Sequence, residues 1–228
     1  MRKKKKDAVA IGARKKQTAE MENKYKKVAD FEFSEINIGL EETEFIKEYS
    51  KLIFNGFFFI KTIESNQEEF RNYLNSIHKP LEDFDINIPF QSATSDAKDF
   101  IYHLINNETL RRISLYFYED SDFFTIATQY TSLENFRKLP IAEMNKLKLQ
   151  RYLFEIAKEG SIYEEWKSSD RLTSKMINDF LVKLFQNDNY RIFNIGDWSG
   201  YDMGFYICFL LIDLDKAQIT FFAKDDYD

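Results

Sequence analysis

The end of the chain most constrains its fold. Three β-rich runs, NYRIFNI (189–195), MGFYICFLLI (203–212) and QITFFA (218–223), follow one another with only a glycine-rich loop and the polar turn Asp213–Ala217 between them. Connections this short leave no room for a crossover helix, so the three strands should lie antiparallel. The same character recurs upstream. GFFFIKTI (56–63) reads as a strand, and RRISLYFY (111–118) with DFFTIATQY (122–130) reads as a hairpin around Glu119-Asp120-Ser121. Phe31–Ile38 is a short extended segment closed by Gly39, and 80–94, with two prolines, is a loop with room for a short edge strand.

Between these runs the apolar period changes to that of helices. Phe45, Tyr49, Leu52 and Ile53 mark 41–54, with Glu41, Glu42 and Glu44 placing negative charge in a first turn. Ser65 with Glu68 opens 66–78, Ser95 caps 96–107, and Ser132 starts a short helix to Lys138. Pro140 suits the first turn of 140–159, Gly160 stops it, and Thr173 caps 174–186. Strands separated by turns or by paired helices, without β-α-β alternation, give the class α+β. The expected architecture is an antiparallel sheet of about five to six strands packed with several amphipathic helices. The last residues, Lys224–Asp228, are expected to fray.

Charge divides the chain in two. Residues 1–28 hold 11 of the 32 Lys/Arg but three of the 38 Asp/Glu, so this stretch carries +8. The other 200 residues, with 21 basic and 35 acidic side chains, carry −14. We read 1–28 as a basic tail, disordered or a frayed helix, and 29–228 as a single acidic α+β domain without repeat or linker. An acidic body repels phosphate and anionic lipid and attracts basic proteins, whereas the tail could contact nucleic acid. The longest apolar stretch, Met203–Ile212, is about half a bilayer span, and AVAIGA is too short for the core of a signal peptide. The single cysteine, Cys208, allows no internal disulfide and sits in an apolar run where it packs as a small hydrophobe. These features fit a soluble protein of a reducing, cytoplasmic compartment, and they leave the oligomeric state open.

Few residues offer chemistry. The two histidines, His78 and His103, fall at a helix C-terminus and on an amphipathic helix, both structural positions. No HExxH, Cys-x-x-Cys, GxxxxGK[ST] or GxGxxG occurs, and no metal or cofactor is expected. Asp213-x-Asp215 has the spacing of a metal-holding pair in nucleotide-transfer enzymes, but it falls in a hairpin turn, where Asp is an ordinary turn former.

One stretch looks specialised: Gly196-Asp197-Trp198-Ser199-Gly200-Tyr201-Asp202-Met203-Gly204. Aromatic rings beside carboxylates suit a basic protein surface, which makes Asp197, Trp198, Tyr201 and Asp202 the candidate partner-binding residues. The structural alternative is a loop that plugs one end of the sheet with Trp198 and Tyr201. The whole C-terminal pattern, IGDWSGYDMGFYICFLLIDLDKAQITFFAKDD (195–226), resembles the ends of small acidic immunity proteins that accompany bacterial polymorphic or contact-dependent toxins. That resemblance implies a cytosolic, non-enzymatic antidote that binds a cognate toxin domain and occludes it. The basic tail departs from that pattern. The alternatives are an intracellular enzyme without a familiar motif and a nucleic-acid-associated adaptor acting through the tail.

Overall fold

A computed structural model describes residues 25, 27–53, 56–65, 68–78, 90–109, 132–161, 163–195 and 207–226. Among them lie seven strands: β1 (Ser34–Ile36), β2 (Gly56–Glu64), β3 (Phe90–Ser92), β4 (Ala142–Met144), β5 (Tyr190–Asn194), β6 (Ile207–Asp213) and β7 (Gln218–Asp226). Also among the described residues are the α-helices α1 (Glu44–Ser50), α2 (Glu68–His78), α3 (Ser95–Ile105), α4 (Leu133–Phe136), α5 (Lys146–Glu159) and α6 (Asp170–Leu184). A 3-10 turn, Lys27–Asp30, precedes β1.

The strands form one sheet in the order β1-β2-β7-β6-β5-β4-β3, every pair antiparallel. This is the α+β class the sequence implies, with seven strands among the described residues against the expected five to six or so. The expected hairpin 111–130 lies outside the described residues. The longest pairing, β2 with β7, runs from Gly56↔Asp226 to Glu64↔Gln218, so the chain end expected to fray is a strand as far as Asp226.

Helices cover both faces of the sheet. On one, Ile63, Phe193, Leu210, Ile212, Ile219 and Phe221 meet apolar residues of α2, α3, α4 and the 3-10 turn. On the other, Ile60, Met144, Ile192, Phe209, Leu211 and Phe222 meet α1, α5 and α6. A strand buried on both faces has no polar side to show, which is why β6 and β7 read as nearly unbroken apolar runs. The core also begins earlier than residue 29. Tyr25 and Val28 are buried beneath α3, and Asn107 donates from its side-chain amide to the carbonyls of Val28, Ala29 and Phe31.

Several boundaries differ from expectation, each for a local reason. Glu41 and Glu42 occupy a turn ahead of α1, because Thr43 takes the extended N-cap conformation and its hydroxyl donates to Leu40 O at 2.7 Å. The expected helix 140–159 is β4 followed by α5, which starts after Asn145, whose Oδ1 accepts from Lys148 N. Thr94 caps α3 in place of Ser95, and Ser169 caps α6 in place of Thr173. Thr173 is instead buried, its hydroxyl accepting from Trp166 Nε1 at 2.7 Å and donating to Ser169 O.

Candidate functional site

The segment 196–206, with Asp197, Trp198, Tyr201 and Asp202, lies outside the described residues, so the structure neither gathers nor separates them. It does place the two ends of that connection. Asn194 pairs with Phe209, and Ile195 N–H donates to Cys208 O at 2.9 Å, so the segment leaves and re-enters adjacent strands at one end of the sheet. Around those ends, the Tyr152 ring stands edge-on to Phe209, and its hydroxyl, hydrogen-bonded to Asn194, is raised in pKa chiefly by burial. Lys224, opposite Ile207 and buried, extends over the Tyr49 ring and donates to Gly160 O at 3.3 Å. Gly160 has φ 73°, and a Cβ there would stand 2.6 Å from Glu164 O, so only glycine presents that carbonyl without moving backbone.

The other residues weighed for chemistry fall on strands, helices and turns of the fold. Cys208 is fully buried in β6. Asp213 accepts from the Asn187 amide and from the backbone N–H of Asp215 and Lys216, which makes it the organiser of the β6–β7 turn. His78 is the last residue of α2, and the His103 ring meets Tyr102 edge-on on α3. Among the described residues no three His, Cys, Asp or Glu side chains are grouped to hold a metal ion.

One buried and one half-buried ion pair stiffen the face beneath α3. Arg191 on β5 grips Glu143 on β4 in a two-pronged pair, Nε to Oε1 at 2.5 Å and Nη2 to Oε2, with both side chains about as buried as the core. The guanidinium lies 5.0 Å from the Phe193 ring centre. Asp99 is held in the same way by Arg137, both bonds at 2.6 Å. Each carboxylate is occupied by a fork of donors, an arrangement that fixes register and packing.

The surface feature that sequence reasoning missed is the edge at β1. Residues 30–44 contain no Lys or Arg and present six exposed carboxylates, Asp30, Glu32, Glu35, Glu41, Glu42 and Glu44. Glu35 accepts from Lys61 Nζ at 2.6 Å on the sheet face turned toward α2 and α3. On the opposite face, a cavity of about 70 Å³ opens beside the edge, floored by Ile36, Ile38, Leu40 and Ile60. Thr62 and Glu41 also line it. Gly39, at φ 72° with its N–H donating to Asn37 Oδ1, turns the chain so that 37–41 walls this cavity. The visible signal was the run of acids, of which the helical reading absorbed Glu41, Glu42 and Glu44 as charge for the start of α1.

In comparison with known proteins, no family model matches the chain, and no curated protein or solved structure matches it either.

Proposed function

We propose that the chain is a non-enzymatic protein-binding module, an immunity protein that neutralises a cognate bacterial toxin in the cytoplasm by binding and occluding it. The observation that carries this reading is the net negative charge, −14 over residues 29–228, with six exposed carboxylates and no Lys or Arg within 30–44, where Lys61 pairs with Glu35 and Lys183 with Glu42. A field of that sign raises the encounter rate with a basic protein and disfavours phosphate, and aromatic anchors with carboxylates then give the docked complex its lifetime. Asp197, Trp198, Tyr201 and Asp202 supply such a set on a connection whose two ends are held side by side by β5 and β6. Among the described residues no helix is long and apolar enough to cross a membrane, which fits a partner met in solution.

The test is co-expression with the toxin encoded beside the gene. Rescue of growth together with a stable purified complex supports the reading, and association should slow as salt is raised. Asp197→Asn with Asp202→Asn should slow association without lowering the melting temperature. Trp198→Ala should weaken the complex by about 2 kcal/mol or more if the ring is an interface anchor. Rescue through catalytic turnover of the toxin or its product would overturn the binding mechanism.

A further inference from the structure

We infer that β1 is a strand-addition site for an extended, lysine- or arginine-bearing segment of a basic protein. Among the described residues β1 is an outer strand of the sheet, hydrogen-bonded to β2 along one side, with Ser34 and Glu35 exposed. An added strand shares faces with its neighbour: the residue beside Ile36 points to the same side as Ile36, and the residue beside Glu35 to the same side as Glu35.

Those two sides ask for the same chemistry. Beside Ile36 lies the 70 Å³ cavity, several times the space one water needs, with an aliphatic floor and Glu41 among its walls. A long basic side chain fits it, its stem against Ile38, Leu40 and Ile60 and its charge at the carboxylate. Beside Glu35, a second cation would join the Glu35–Lys61 pair from the exposed side of the carboxylate. A second copy of this chain is a poor occupant, because antiparallel pairing of two three-residue β1 strands sets Glu35 against Glu35. Main-chain bonds would supply the affinity, and alternate side chains the selectivity.

The site stands apart from Ile195 and Ile207, the two residues that flank 196–206. β1 pairs with residues 62–64 of β2, toward the β6–β7 turn, whereas Ile195 and Ile207 lie at the opposite end of the sheet. The inference rests on the reading that the partner is basic, and the two fail separately. A peptide probe tests the edge directly, while cellular rescue tests the antidote role.

The probe is a peptide of alternating Lys and Thr, with a Glu/Thr counterpart, added to the full chain and followed by amide hydrogen exchange and titration. Slowed exchange at Ser34–Ile36 with the basic peptide alone is the expected result. Ile36→Lys should weaken binding by about tenfold or more, and Glu41→Gln, an exposed near-isostere that leaves folding intact, by several-fold. Glu68→Gln with Glu69→Gln removes more charge from exposed positions on α2 and should change affinity less than about twofold. Equal losses in the α2 and Glu41 variants would reduce the effect to diffuse charge attraction. Protection elsewhere, or binding of the acidic peptide, would equally overturn the assignment.

Discussion

Glu143 and Arg191 show how much a single side chain can decide in this fold. Both are buried between β4 and β5, and the pair is tolerable because each desolvated charge meets its counter-charge in a two-pronged contact. Removing one partner leaves the other stranded. Glu143→Ala should therefore cost about 3–5 kcal/mol in urea unfolding, and adding Arg191→Met should restore part of that loss. A single-variant cost under about 1 kcal/mol would show that water reaches the pair. Tyrosines set a second residue-scale property. Burial raises the phenol of Tyr73, and burial together with the nearby Asp96 charge raises that of Tyr25. In the unfolded chain these phenols ionise near pH 10, about the ordinary value, so above that pH the unfolded state binds fewer protons than the folded one. Stability from this source is complete below about pH 10 and falls as pH rises further. Tyr73→Phe should flatten that fall, seen as a smaller drop in denaturant midpoint between about pH 9 and pH 11.

At the scale of elements, caps and short strands separate what the sequence disclosed from what only the folded partners decide. Ser169→Ala should cost about 1 kcal/mol through α6, as a lost N-cap does. Thr173→Val should cost about 1–3 kcal/mol by a different route, because the Trp166 N–H loses its buried acceptor. The sequence suggested Thr173 because Met176 and Ile177 begin the apolar period just after it, yet Thr173 itself belongs to the buried face. The long strands β2, β6 and β7 were legible from their β-rich runs, GFFFIKTI, ICFLLI and QITFFA, each too short for a helix that could bury so many apolar residues. β4 was not. Ala142, Glu143 and Met144 are too few to establish a period, Glu143 reads as a solvent-facing residue although it is buried, and the three satisfy a helical pattern as readily. Their state is fixed by β3 and β5 on either side, contacts remote in sequence. The acids of 30–44 were equally visible, but their meaning depends on β1 being an outer strand, which only the sheet order reveals.

For the molecule as a whole, the boundary between tail and domain couples charge to stability, and truncation separates the two. Residues 1–24 carry nine Lys/Arg and three acids, so deleting them takes the net charge from −6 to −12 and leaves Tyr25 and Val28 in place. That chain should melt within a degree or two of the full one, because the deleted stretch contains little apolar periodicity to contribute to a core. A chain starting at Ala29 loses two core side chains and should fall by about 3 kcal/mol or more, roughly 6–12 °C for a domain of this size. Comparing the full chain with the chain that starts at Tyr25 also reads out function. If the acidic body steers a basic partner, removing the opposing +6 should speed association at low salt, and the gain should fade as ionic strength approaches about 0.15 M, where screening sets in within about 8 Å. If the tail is itself the contact, deletion slows association at every salt concentration. Stopped-flow association of both proteins with the same basic partner, at low and physiological salt, separates these outcomes, because the folded bodies compared are identical from Tyr25 onward.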